Sequence, residues 1–205
     1  EEQKNKILLA IAARLEEHTE EILAVNELDM KDAVINQIPT IMLDRLKLTT
    51  ERIQQIAEGV RQVVDLEDPV GRVLDVIERP NGLHIEKRCV PLGVIAIIFE
   101  ARPNVTVDAS VLCFKTGNAT ILRGGKEAFR TNQCVVKVIR DAIAENGVNP
   151  DAIQLVEVLD REAVGTLLSL RDYIDVVIPR GGAGLIQRVV QDSAIPVIET
   201  GSGIC

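Results

Sequence analysis

The sequence has no tryptophan, one tyrosine and three phenylalanines, an aromatic content of 2%. With so few rings, the core must be built from Ile, Val, Leu and Ala. Histidine is nearly as scarce. His18 sits in a charged helical pattern and His84 in an alternating segment, so neither a His-based metal site nor a His-based triad is expected. The four cysteines, Cys89, Cys113, Cys134 and Cys205, are scattered and show no CxxC or Cys/His ligand spacing. Cys113 and Cys134 fall inside apolar helical patterns and read as small buried hydrophobes. No apolar run approaches the ~18 residues that a membrane helix needs. No secretory signal is recognisable, so a reduced, cytoplasmic protein is expected.

Excess positive charge is missing too. The formal net charge is −8, which argues against nucleic acid or an anionic membrane as partner, because the long-range field repels phosphates. Any phosphate-bearing ligand must be held by local cations and backbone N–H groups. Two glycine signatures are also absent: neither GxGxxG nor GxxxxGK[ST] occurs, so the ordinary dinucleotide fingerprint and the Walker loop are unavailable. At 205 residues and 46% hydrophobic, the chain has enough apolar material for one sizeable core without disulfides.

Helical periodicity runs through residues 1–30, with a break expected near His18-Thr19. A second helix is expected around Thr40–Leu46. A third starts after Thr49, whose hydroxyl suits an N-cap, and ends near Leu66 before Asp68-Pro69. From Gly71 the period falls to two. Segments 72–79 and 83–90 flank Pro80-Asn81-Gly82, a hairpin signal in which both Asn81 and Gly82 are expected at positive φ. This hairpin has no apolar face long enough to stand alone. It is expected to project and pair elsewhere, either as a subunit contact or as a sheet edge.

After Pro91 strands and helices alternate. Strands are expected at Gly93–Phe99, Ala119–Leu122, Ile153–Val158, Ile174–Ile178 and Pro196–Ile198, with helices at Val105–Lys115, Ala128–Asn146, Arg161–Leu170 and Leu185–Gln191. That order predicts an α/β fold with a doubly wound, five-stranded parallel sheet. Ligands of such sheets bind beyond the strand carboxyl ends. Here those ends are Glu100-Ala-Arg-Pro-Asn104, Arg123-Gly-Gly-Lys126, Arg180-Gly-Gly-Ala-Gly184 and Glu199-Thr-Gly-Ser-Gly203, each rich in glycine, charge or both.

Two cations around Gly124-Gly125 suit the 2′-phosphate of NADPH better than the free ribose of NADH, the alternative being a solvated basic turn. Gly181, Gly182 and Gly184 open a helix whose amides could meet a ligand phosphate, although short glycine clusters also serve merely to turn a chain. Both readings stay open at this point.

Six segments, among them Phe99-Glu-Ala-Arg-Pro-Asn-Val-Thr-Val-Asp108, Ile121-Leu-Arg-Gly-Gly-Lys-Glu-Ala128, Ile178-Pro-Arg-Gly-Gly-Ala-Gly184 and Pro196-Val-Ile-Glu-Thr-Gly-Ser-Gly-Ile-Cys205, together resemble one family. It is the γ-glutamyl phosphate reductases (glutamate-5-semialdehyde dehydrogenases) of the aldehyde dehydrogenase superfamily. The resemblance runs over nearly the whole chain. It implies a five-stranded Rossmann variant and NADPH-dependent reduction of L-glutamyl 5-phosphate to L-glutamate 5-semialdehyde and phosphate, in proline biosynthesis. It also implies a thiolate that attacks the acyl phosphate to give a reducible thioester.

By that resemblance Phe99, Glu100 and Ala101 lie near the nicotinamide, with Arg102 and Asn104 beside the substrate and Arg102 placed to stabilise an oxyanion. Arg123, Gly124, Gly125 and Lys126 match the segment that holds the adenosine ribose. Gly181, Gly182 and Gly184 match the helix start facing the pyrophosphate. Glu199 matches a glutamate that serves elsewhere as a base; here it either positions the nicotinamide or a water, or caps a helix from a buried position. Cys205 belongs to the tail of that glutamate motif and is not expected to be the nucleophile. The family's nucleophile stands in a downstream Cys-Asn-Ala type segment.

The expected organisation is therefore N-terminal helices over 1–70, an oligomerisation hairpin over 71–92 and an NADP-binding sheet over 93–205, with the catalytic domain outside this chain and the chain inactive alone. Competing readings are a non-catalytic nucleotide-binding fragment, the reductase half of a bifunctional kinase/reductase, and a relative acting on another acyl donor.

Overall fold

A computed structural model describes residues 1–199 of the protein. The N-terminal part is helical: α1 (Glu2–Glu17), α2 (Thr19–Ile35), α3 (Thr40–Leu46) and α4 (Thr50–Asp65). The break expected near His18 is there, and the next helix begins at Thr19. Ile7, Leu8, Ile11, Ala12 and Leu15 form the buried stripe of α1 at helix spacing. Helix α4 starts as its sequence dictates, the Thr49 hydroxyl accepting the Arg52 amide at 3.2 Å.

Strands β1 (Val73–Glu78) and β2 (His84–Arg88) make a two-stranded antiparallel hairpin that stands apart from the main sheet. Every residue of both strands is exposed. The turn corrects the sequence reading, because among the two residues expected at positive φ only Gly82 adopts it, at +85°. Pro80 takes the first central position of an ordinary turn, where its fixed φ fits, and the Gly82 amide donates to Arg79 O at 2.8 Å. Gly82 then supplies the left-handed residue that returns the chain to pairing.

The main sheet contains β3 (Val94–Phe99), β4 (Ala119–Arg123), β5 (Ile153–Leu155) and β6 (Val176–Arg180), all parallel, in the order β5-β4-β3-β6. Helices α5 (Pro103–Lys115), α6 (Phe129–Glu145), α7 (Arg161–Ser169) and α8 (Ala183–Asp192) complete the alternation. Five strands are thus corrected to four. The expected fifth, Pro196–Ile198, contributes a single parallel bridge, Val177 with Val197. Pro179 of β6 has no amide hydrogen to carry that pairing on towards Ile198.

β3 sets the layers. Ile95, Ile97 and Phe99 point into one core with α1, α4, α5 and α6, whereas Ala96 and Ile98 point into another with Leu167 and Leu168 of α7 and Val189 of α8. A strand buried on both faces is why its sequence is continuously apolar.

Polar groups bind the N-terminal helices to this sandwich. Helix α6 begins without a side-chain cap of its own. Asp29 of α2 supplies one instead, its carboxylate accepting the Thr131 amide at 2.8 Å and the Thr131 hydroxyl at 2.7 Å. Beside it Asn26, 2% exposed, donates to Leu46 O at 2.9 Å and to the Thr131 hydroxyl at 3.2 Å, and accepts the Leu48 amide at 2.8 Å. Replacing Asn26 by Ala strands those partners in a dry site. The expected loss is roughly 3 kcal/mol in a urea unfolding titration, given about 1–3 kcal/mol per buried group left unmade. A loss under about 1 kcal/mol would show that water satisfies them.

Candidate functional site

The carboxyl ends of β3, β4 and β6 lie side by side. Ile98 pairs with Arg123, and Phe99 with Arg180, so the three charged or glycine-rich turns start at nearly one level. After Phe99 the chain turns sharply, with the Arg102 amide donating to Glu100 O at 2.6 Å, and Pro103 opens α5 at a position that needs no N–H. Asn104, in the first turn of α5, donates weakly to Asp108 at 3.3 Å. Desolvation pushes the Asp108 carboxyl up although the residue as a whole is open to solvent; the Asn104 bond and the positive charge of Arg180 act the other way.

Glu100 joins two of these turns. Its carboxylate accepts the Gly182 amide at 3.0 Å, at the start of α8. A Cβ on Gly181 would lie 2.8 Å from the Glu100 carboxylate and 2.8 Å from Leu185, so a side chain here would make Glu100 and Leu185 shift. On the other flank, a Cβ on Gly125 would come within 3.3 Å of the Ala101 amide nitrogen and 2.4 Å of the Glu127 carboxylate. The β4 turn therefore packs directly on the β3 turn.

A cleft of about 780 Å³ opens over this junction. Its lining includes Phe99, Glu100, Ala101 and Arg102 from the β3 end, and Gly181 and Gly182 from the start of α8. Glu199, exposed rather than buried, lines it too, as do Met42 and Arg45 of α3. A second cavity of about 440 Å³ lies beside it, and its lining includes Asn104 and Asp108.

The remaining sequence candidates divide. Lys126 is exposed at the end of the β4 turn. The Arg123 guanidinium is instead spent on protein carbonyls, donating to Gly124 O at 2.6 Å and Leu159 O at 3.0 Å, while its Nε is buried without a partner. Burial lowers its pKa, with Glu127 opposing. Gly184 lies in the first turn of α8 with open space where a side chain would be. Cys205, with the Gly201 and Gly203 end of the glutamate motif, lies outside the described residues. Arg45 and Met42 were not expected here. A short helix far in sequence from both α5 and α8 gives no local sign that it walls the cleft.

A doubly wound α/β protein whose ligand cleft sits at the strand carboxyl ends is the class these features define. The model of the aldehyde dehydrogenase family matches residues 1–201, and the chain belongs to that family, which implies a nicotinamide cofactor. It is 55% identical over 203 residues to a γ-glutamyl phosphate reductase of Moorella thermoacetica and 51% identical over 205 residues to one of Ligilactobacillus salivarius. These alignments take in 99% and 100% of the chain but 49% of each relative, so the chain spans about half the length of the curated relatives it matches. A crystal structure of the γ-glutamyl phosphate reductase of Thermotoga maritima superposes with a TM-score of 0.96 at 40% identity, covering 98% of this chain and 49% of that one. A probable aldehyde dehydrogenase of Listeria monocytogenes shares the fold at TM-score 0.74 and 16% identity, over 98% of this chain and 41% of that one.

The residues fit a dinucleotide. The ten-residue α8 has Gly182 as its N-cap with no side-chain cap bond; the Gly182 amide is taken by Glu100 and the Leu185 amide by Gly182 O, while the amides of Ala183 and Gly184 have no carbonyl one turn back in their own helix. The two buried thiols do not fit a nucleophile. Cys113 and Cys134 are buried in α5 and α6, and burial pushes both thiols up, that of Cys134 to about 11. Below that pH the thiolate of Cys134 is suppressed. Native chain treated with iodoacetamide at pH 8 and mapped by mass spectrometry should be alkylated at half-buried Cys89 but not at Cys113 or Cys134. Labelling of Cys134 at the rate of Cys89 would contradict this account of its surroundings.

Proposed function

We propose that this chain is the cofactor-binding half of a γ-glutamyl phosphate reductase, which reduces L-glutamyl 5-phosphate to L-glutamate 5-semialdehyde and phosphate with NADPH. The observation that carries the reading is the meeting of the Phe99–Arg102 turn with the Gly181–Ala183 helix start in a single cleft. The likeness to reductases of that name over the whole chain supplies the substrate. NADPH, when bound, supplies the hydride.

In this reading Gly181, Gly182 and Gly184 let the pyrophosphate approach the amides of α8. Gly124, Gly125 and Lys126 receive the adenosine ribose and its 2′-phosphate, while Arg123 braces their turn from behind. Phe99, Glu100 and Ala101 form the floor at the nicotinamide end. Arg102 and Asn104 stand where negative charge develops on the acyl oxygen, and donors fixed in advance lower that barrier. Glu199 orients a water or the nicotinamide. The nucleophilic thiol comes from outside the described residues, in a catalytic domain that this chain does not include. Residues 1–70 brace the cofactor sheet of residues 93–205. The hairpin of residues 71–92, exposed at every residue of its two strands, pairs with a second copy. The free thiols of Cys89, Cys113 and Cys134 suit a cytoplasmic enzyme.

Nucleotide titrations of the chain test the cofactor assignment. NADPH should bind more tightly than NADH, and Lys126→Ala should weaken NADPH about tenfold, as loss of a charge-assisted phosphate contact does, while leaving NADH within twofold. Equal affinities in the wild-type chain would sink the NADPH assignment. Supplied with L-glutamyl 5-phosphate and NADPH, the 205-residue chain alone should release no phosphate beyond the spontaneous rate. Enzymatic release that disappears in Cys205→Ser would refute the placement of the nucleophile.

A further inference from the structure

Two cavities meet at the carboxyl edge of the sheet, and among the described residues Arg45 and Arg102 alone line both. Arg45 comes from α3 and Arg102 from the turn after β3, so helices far apart in sequence place two guanidinium groups on one dividing wall. Neither makes an ion pair or a side-chain hydrogen bond among the described residues. Arg180, on the first cavity only, is likewise without an ion pair among the described residues, whereas the neighbours of Arg45 are paired. Asp44, adjacent to Arg45, is already held by Arg52 at 2.9 Å, and Arg52 also donates to Lys47 O at 2.7 Å. Arg14, Arg61, Arg130 and Arg140 all find carboxylates. In a chain of net charge −8, where acids outnumber bases, two arginines left unpaired on the same wall mark a place kept for an external anion.

We infer that Arg45 is a binding residue for the phosphoryl group of the substrate, acting with Arg102 across the wall between the cavities. The inference rests on the reductase reading of the cleft and deepens it by assigning the substrate's anionic end. The cofactor's phosphates have their own anchors in the amides of α8 and in Lys126. Arg45 has the second cavity behind it, so a group held there can extend from the junction towards Asn104 while the nicotinamide occupies the first cleft. A guanidinium offers two parallel N–H donors to a phosphoryl group, which an ammonium does not match.

The test is to titrate inorganic phosphate, at constant ionic strength and read by phosphorus NMR, into the 205-residue chain, Arg45→Gln and Arg45→Lys, with a parallel NADPH titration of each. The Arg45 side chain is exposed and makes no bond in the fold, so thermal unfolding of both variants should match wild type. Arg45→Gln should weaken phosphate about tenfold or more, Arg45→Lys should recover only part of that loss, and NADPH should change less than twofold. Phosphate should also bind the NADPH-saturated chain. Unchanged phosphate affinity in Arg45→Gln, or no phosphate binding by wild type, overturns the inference while leaving the reductase reading in place. A parallel loss of NADPH, or displacement of phosphate by NADPH, assigns Arg45 to the cofactor and overturns it as well. Failure of the wild-type chain to bind NADPH would count instead against the reductase reading.

Discussion

The Glu100 carboxylate on the Gly182 amide is the contact around which the site is organised. It ties the end of β3 to the start of α8, and a side chain at residue 181 would press on it. A carboxylate at a helix N-terminus is favourable in itself, since the helix dipole and the free amides both attract negative charge. The same carboxylate is also an anion at the edge of the cleft. Arg45, Arg102 and Arg180 line the same cleft as Glu100 and Glu199. The local balance is thereby positive within a molecule whose overall charge is −8. Attraction works at close range here, inside the Debye length, and long-range steering does not.

That arrangement needs α3 to be held against the sheet, and α3 is a short helix with a single buried residue, Leu46. Leu46 packs with Ala33 and Ala128, and polar contacts add to that hold. Asn26 donates to Leu46 O and accepts from Leu48 N, so the end of α3 hangs from α2, while α2 is bound through Asp29 to the start of α6. Lys115 does similar work at the opposite end of α5. Only 2% exposed, its ammonium donates to Asn5 Oδ1 at 2.6 Å and to Val64 O at 3.0 Å, fastening α1 and α4 to the sandwich. A buried cation is tolerable only when its donors are used, and here they are. The N-terminal helices therefore belong to the site's architecture, because they fix the wall from which Arg45 projects.

The alternation of β3 was legible because burial on both faces leaves a continuous apolar run, and the break at His18 and the cap at Thr49 are local chemistry. The turn at Pro80 was misread because proline claims the first central position, which moves Gly82 to the residue after the turn. The fifth strand was overcounted: an apolar triplet at Pro196–Ile198 says nothing about a proline, Pro179, on the strand it must pair with. Among the site residues, the strand ends could be found because glycine and charge after an apolar run announce a ligand edge. Arg45 could not, since nothing in the short segment of α3 encodes that it lines the cleft.

Arg123 and Lys126 carry the same formal charge three residues apart, and periodicity gives no reason to separate them. Burial does. With Gly124 O and Leu159 O as acceptors and its Nε left without a partner, Arg123 is committed to shaping the turn, and its positive charge is partly spent on the protein's own carbonyls. Lys126 keeps its charge in solvent, where a phosphate would meet it. Unpaired Arg45 and Arg102 stand in the same relation to paired Arg52, Arg130 and Arg140. Two like charges on one wall repel each other and weaken the free fold slightly, a cost that an anion between them would remove. A positive charge that the fold leaves unused, at the edge where three strands end, is the physical signature of a ligand still to be accounted for.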